Sequence, residues 1–159
     1  MKRQQKVVLS LGSNQGNRRE NIENCIQLIH QKIGLIVCAS KVYESPSWGF
    51  SSDAFYNCAL LLHTSFSSEK ILRKITAIEN ELGRVRKNSN SYEARMIDID
   101  IIAIEDQIFN SENLTIPHPQ MQNRLFVLVP MLDLKLEWQH PILHKSVSEL
   151  LDLCEDKSN

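Results

Sequence analysis

An excess of charge of either sign is what this sequence most plainly lacks. Its 159 residues carry 18 Lys and Arg against 19 Asp and Glu, a formal charge of -1, so no global field draws the surface toward nucleic acid or anionic lipid. No long hydrophobic run is present either. The apolar stretch at 7–11, behind a basic start, is far too short for a signal or membrane segment. Cys25, Cys38, Cys58 and Cys154 are widely spaced with no CxxC pair, and we expect reduced thiols in a cytoplasmic protein. There is no internal repeat or low-complexity tract. What remains is 42% hydrophobic content in a length that suits one compact domain, 1–159.

Hydrophobic periodicity divides the chain. Residues 6–11 read as a strand stopped by Gly12-Ser13-Asn14, and Asn17 with Glu20 three positions on marks a helix start. Ile22, Ile26, Ile29 and Ile33 then recur at helical spacing until Gly34. Residues 35–43 return to a strand pattern, 44–53 form a loop around Ser45-Pro46-Ser47-Trp48-Gly49, and 54–63 form a third strand. On that strand Phe55, Asn57, Ala59 and Leu61 share one face, and Tyr56, Cys58, Leu60 and Leu62 the other. Ser67, Ser68 and Glu69 open a second helix with the stripe Ile71, Ile75, Ile78 and Leu82, ended by Gly83. After a polar loop at 84–95, residues 96–104 alternate as a strand with Asp98 and Asp100 on one face, and 107–109 are placed to pair back on it as a hairpin. Pro117-His118-Pro119 is a turn, 120–132 a short helix and 147–153 another. The order β-α-β-β-α-β predicts an α+β, ferredoxin-like fold: a mainly antiparallel sheet with helices packed on one face.

Four cations, Arg84, Arg86, Lys87 and Arg95, precede the two carboxylates Asp98 and Asp100. Residues two apart on a strand project the same way with Cα atoms roughly 6.5 to 7 Å apart, so both aspartates can face one hard cation. Mg²⁺ takes one or two protein carboxylates and completes its shell with water and phosphate oxygens, while guanidinium forks meet the remaining phosphate oxygens. Phosphoryl transfer needs mainly such positioning and charge neutralisation. Taken alone, the aspartates are equally well the solvated face of an amphipathic strand. No Gly-x-x-x-x-Gly-Lys-Ser/Thr loop and no protein-kinase motif set is present. Gly12-Ser13-Asn14-Gln15-Gly16 reads as an ordinary strand-to-helix turn, so a nucleotide has to be held another way.

Several motifs in order resemble the 6-hydroxymethyl-7,8-dihydropterin pyrophosphokinase family over about residues 7–132. They are Leu11-Gly12-Ser13-Asn14, Tyr43 through Gly49, Phe55-Tyr56-Asn57, Glu79 through Arg86, Arg95 through Asp100, and Pro117-His118 through Arg124-Leu125-Phe126. The resemblance implies a ferredoxin-like monomer with mobile loops, using two Mg²⁺ ions held by Asp98 and Asp100 to present ATP. It implies that Glu79, Arg84, Arg86, Tyr92, Arg95, His118 and Arg124 surround ATP, with Arg84 and Arg95 assisting transfer. It also implies that 6-hydroxymethyl-7,8-dihydropterin stacks between Phe55 and Phe126, beside Ser45, Pro46 and Trp48, with Asn57 reading its polar edge. Pyrophosphate would pass to the pterin, leaving AMP, in tetrahydrofolate biosynthesis; association with the next folate enzyme is part of the same expectation.

The chain departs from the family pattern in places. Phe55 stands where tyrosine is frequent, Trp48 where leucine is, Tyr92 where tryptophan is, and Glu93 near a usual proline. Two rival readings use the same topology. A nucleic-acid-binding domain would show adjacent strand aromatics and a broad basic face, where this strand carries two acids; a catalytically silent domain would have lost part of the Arg84, Arg95, Asp98 and Asp100 set.

Overall fold

The computed structural model describes residues 3–46, 54–83 and 96–156. Its main sheet has five strands. Strand β1 (Gln5–Ser13) lies between β4 (Phe55–Thr64) and β5 (Asp98–Ile104), antiparallel to both, and β2 (Leu35–Ala39) and β3 (Tyr43–Ser45) pair in turn along β4. The order β2-β4-β1-β5 is the ferredoxin-like order expected. It leaves β5 at an edge.

Helix α1 (Arg18–Lys32) starts where Asn17 accepts from the Glu20 amide, and α2 (Ser68–Glu81) where Ser67 accepts from that of Lys70. Both satisfy amides that a helix start leaves unpaired. The isoleucine stripes of these helices, with Ile26 and Leu82 only partly buried, meet Val7, Leu9 and Leu11 of β1, Cys58, Leu60 and Leu62 of β4, and Ile97, Ile99 and Ile101. Gly34, in the turn from α1 to β2, is required by a close approach: a Cβ there would lie 2.2 Å from the His63 carbonyl oxygen.

The opposite face is covered too, where helices on one face were expected. Helix α3 (Leu125–Asp133) and α4 (Val147–Leu153) bring Val127, Leu128, Met131, Val147 and Leu150 against Val8, Ala59, Ile102 and Ala103. A capping box of Ser146 and Glu149 begins α4.

Three further local expectations are corrected. The strand pattern at 35–43 is broken at Ser40, whose hydroxyl accepts from the Ala59 amide and donates to the Lys41 carbonyl, so β2 and β3 are separate. The segment after β5 does not pair back on it: β6 (Phe109–Asn110) joins β7 (Thr115–Ile116) in a small sheet of its own. The helix expected over 120–132 is a 3₁₀ turn (Met121–Asn123) and then α3, with Arg124 extended between them at φ -127° and ψ 108°.

Candidate active site

The second sheet face is polar at one end and apolar at the other. Along β4 it runs Phe55, Asn57, Ala59, Leu61; Gly12 and Ser10 are their neighbours on β1, and Asp98 and Asp100 the next on β5. In the register, Gly12 pairs with both Asn57 and Asp98, and Ser10 with both Ala59 and Asp100. Helix α3 covers the apolar end. The polar end is left as a cleft of about 770 Å³.

This cleft gathers much of the expected set. Ser45, Pro46, Phe55, Asn57, Glu79, Asp98, Asp100, Arg124 and Phe126 all line it. Trp48, Arg84, Arg86, Tyr92 and Arg95 lie outside the described residues, as does Glu93. His118 is not part of the lining, but it senses the charges of Asp100 and Arg124.

Several lining groups have a structural reason for their place. Asn57 is buried and donates from Nδ2 to Ser45 Oγ at 2.6 Å, which orients its Oδ1 toward the side-chain-free position at Gly12; a Cβ there would meet that oxygen at 3.5 Å. Phe55 follows Ala54, whose carbonyl accepts from Arg18 Nη1 at 2.7 Å, while the same guanidinium lies 4.1 Å from the Tyr56 ring centroid. Ser45 ends β3, which Asp133 at the end of α3 holds by accepting from Tyr43 Oη at 2.8 Å and from the Lys41 amide at 3.0 Å.

The aspartate strand is tied down at three points. Ser13 Oγ donates to the Met96 carbonyl at 2.6 Å, and Asn21 Nδ2 donates to Ser13 Oγ, Gln15 O and Met96 O, fixing the entry to β5. Glu79 is buried, and its Oε2 accepts from the Ile99 amide at 3.0 Å, covering the β5 edge between the two aspartates. Beyond them the β1–β5 register shifts: Val8 pairs with Ala103 and Leu9 with Ile101, so Ile102 is an extra residue, a β-bulge. The Ile102 carbonyl accepts from the His118 amide at 2.9 Å.

Burial pushes the His118 imidazole below its ordinary range, opposed by Asp100 and aided by Arg124. Its Nδ1 accepts from the Gln120 amide at 3.1 Å, so in the neutral ring the proton sits on Nε2. The Arg124 guanidinium lies 5.4 Å from the Phe126 ring centroid. Sequence reading missed Ser10, Leu72, Ile75, Thr76, Gln120, Asn123 and Asp156, which complete the lining with Leu11, Gly12 and Ile99. Their helical or loop positions carried no chemical pattern; only Ser10, polar amid an apolar strand, was a signal in itself.

The cleft thus brings two phenylalanines and a buried amide beside two carboxylates. The family model for 7,8-dihydro-6-hydroxymethylpterin-pyrophosphokinase (HPPK) matches residues 8–136. A 2-amino-4-hydroxy-6-hydroxymethyldihydropteridine pyrophosphokinase of Porphyromonas gingivalis is 38% identical over 139 residues, covering 85% of this chain and 93% of that protein. The chain belongs to the HPPK family. Folic acid synthesis protein FOL1 of Dictyostelium discoideum is 38% identical over 145 residues, which are 91% of this chain but 22% of that protein. This chain therefore spans about a fifth of that longer relative. Among solved structures, Plasmodium falciparum HPPK-DHPS with pterin and p-hydroxybenzoate shares the fold, with a TM-score of 0.74 and 17% identity over 96% of this chain and 43% of that one. HPPK membership favours neither a nucleic-acid-binding domain nor a silent relative.

Proposed function

We propose that this chain transfers the pyrophosphoryl group of ATP to the hydroxymethyl oxygen of 6-hydroxymethyl-7,8-dihydropterin, in folate biosynthesis. The observation that carries the reading is the convergence of Asp98 and Asp100 with Phe55, Phe126 and Asn57 on one cleft, in a chain of the HPPK family.

The carboxylate set suits magnesium. Asp98 and Asp100 share a strand face, and among the described residues no group of three His, Cys, Asp or Glu offers a closed metal cage; a cation that keeps positions for water and phosphate oxygens needs only one or two carboxylates. Asp98 and Asp100 would hold two Mg²⁺ ions. When bound, the metal neutralises negative charge on the ATP phosphates.

The chain's own groups do the rest. Phe55 and Phe126 offer ring faces to a planar heterocycle, and Asn57 Oδ1 accepts from an N–H on its edge. Glu79, Arg86, Tyr92, His118 and Arg124 serve the nucleotide end, and Arg84 and Arg95 meet the charge that develops on the transferring phosphates. The pterin oxygen bonds to the β-phosphorus as the bond from that phosphorus to the α,β-bridging oxygen breaks. AMP leaves with the electron pair, and the hydroxyl proton passes to solvent.

Residues 1–159 act in this reading as one catalytic domain and as a monomer. No helix among the described residues is long and apolar enough to cross a membrane, and the four free cysteines support a reducing, cytoplasmic setting. The HPPK-DHPS of Plasmodium falciparum supports association of this chain with the next folate enzyme. Mass analysis of products formed from ATP, Mg²⁺ and the dihydropterin alcohol tests the reaction: AMP and a pterin pyrophosphate are expected, and stoichiometric ADP would refute it.

A further inference from the structure

Helix α3 lacks a cap of its own. Arg124 is its N-cap residue and makes no side-chain hydrogen bond to the first turn, although Asp, Asn, Ser or Thr ordinarily fills that role. The missing acceptor comes from 31 residues further along the chain: Asp156 Oδ2, beyond the end of α4, accepts from the Leu125 amide at 3.0 Å. Asp156 itself lines the active-site cleft, as do Arg124 and Phe126, the two residues on either side of Leu125.

We infer that Asp156 is a positioning residue for the pterin slot, acting through the Leu125 amide to fix the first turn of α3 and with it the ring of Phe126. An anionic acceptor suits this place, because the first amides of a helix carry partial positive charge. The consequence is unequal for the two substrates. Phe126 is a wall whose value depends on where the backbone holds it, whereas Arg124 has a long side chain that can re-aim, and ATP has many other contacts in the proposed site. Loss of the Asp156 acceptor therefore weakens the pterin more than the nucleotide. The segment 154–156 thus works as a strap that ties α4 to the cleft.

The inference rests on the proposed pterin activity, and the experiment separates the two. In the full chain, Asp156→Ala is expected to raise the Kd and KM for the dihydropterin about five- to tenfold, with Kd for Mg-ATP and kcat changed less than about threefold. Asp156→Asn keeps an oxygen that accepts from the Leu125 amide, and it is expected to stay within about twofold of wild type. Leu125→Pro supplies the epistasis test. Proline is tolerated at the first helical position, the residue before it is already extended as proline demands, and it has no N–H to donate; in that background Asp156→Ala is expected to have no further effect on pterin binding.

An Asp156→Ala protein that binds the pterin like wild type overturns the inference. So does an Asn variant as impaired as the Ala variant, or an equal cost of Asp156→Ala in both backgrounds. If the wild-type chain binds no dihydropterin at all, the functional reading falls and the inference with it. Wild-type binding with an unaffected Ala variant removes the positioning role alone.

Discussion

Asn57 donates to Ser45 Oγ at 2.6 Å, from a buried position near the start of β4 to the end of β3. This bond decides which atom of the amide meets a ligand. With one N–H of Nδ2 given to Ser45, the amide plane is held with Oδ1 toward Gly12, and in the proposed site that oxygen accepts from the ligand. Asn57→Ala is expected to weaken dihydropterin binding about tenfold or more, since an unpartnered ligand donor costs about 1–3 kcal/mol. Ser45→Ala releases the amide without removing it, and a loss of about fivefold is expected, from a net hydrogen-bond contribution of about 1 kcal/mol. Titration of both variants with the dihydropterin measures the difference; equal effects would mean that Ser45 meets the ligand itself.

Phe126→Ala tests the slot from its other side. Stacking on an aromatic wall is worth on the order of 0.5–1.5 kcal/mol beyond burial, so a loss of several-fold to tenfold in pterin affinity is expected with Mg-ATP affinity little changed. Calorimetry with each ligand, on protein shown to be folded by circular dichroism, reads the selectivity. Equal loss for both ligands would instead assign Phe126 to the core of α3.

What the sequence made legible, and what it hid, follows from the range of the interactions. The isoleucine stripes of α1 and α2 and the alternation that puts Asp98 and Asp100 together are consequences of local periodicity, and they stand in the structure. The alternation fails after Ile101 because the Ile102 bulge sets Ile104 in the same core as Ile101. No local pattern announced that insertion. The break at Arg124 was hidden because apolar spacing runs on through it, while its stabilising partner, Asp156, is 31 residues away. Glu79, expected beside ATP, lines the cleft and has a second task that its own sequence neighbourhood does not announce: its Oε2 accepts from the Ile99 amide of β5.

The turn at Gly34 is expected to tolerate no side chain. Its Cβ position is 2.2 Å from the His63 carbonyl oxygen and 2.9 Å from Thr64 Cβ, and the first of these is backbone, which cannot swing aside. Gly34→Ala is expected to cost about 1–3 kcal/mol, the range for forced overpacking. A urea titration checks it: an unchanged midpoint would mean that β2 and β4 shift apart freely.

Stability is expected to fall on the acid side through His140. The side chain is buried, its Nδ1 accepts from the amides of Ile142 and Leu143 at 3.1 Å each, and its ring meets Trp138 edge-on at 5.7 Å. Burial first, and the neighbouring His144 second, push its pKa below the ordinary 6.5. A folded value below the unfolded one means that the unfolded chain binds the proton first, so the contribution is full above about pH 6.5 and is lost as pH falls through the folded value. His140→Asn keeps an acceptor near the Nδ1 position and removes the titration. Urea midpoints between pH 7 and 5 are expected to decline less in that variant, with His118, whose pKa is also lowered, sustaining part of the slope. Parallel declines in the two proteins would remove His140 from the account.

Asp98→Asn and Asp100→Asn carry the sharpest expectation. Each amide keeps the shape of the side chain and removes the anionic ligand, while the strand beneath stays held by its pairing to β1 and by Glu79 at Ile99. Folding should therefore survive, and without ligands the loss of one of two like charges on the same strand face can raise the melting temperature slightly. With ligands the sign reverses. Binding stabilises the native state in proportion to RT ln(1 + [L]/Kd), so the wild type is expected to gain a thermal shift from Mg-ATP that each variant largely lacks. Turnover is expected to drop roughly 100-fold or more, because a metal clamp supplies several kcal/mol to phosphoryl transfer and each 1.36 kcal/mol is tenfold in rate. Folded variants that retain both the Mg-ATP shift and near wild-type turnover would make the two aspartates a solvated strand face and remove the metal from this mechanism.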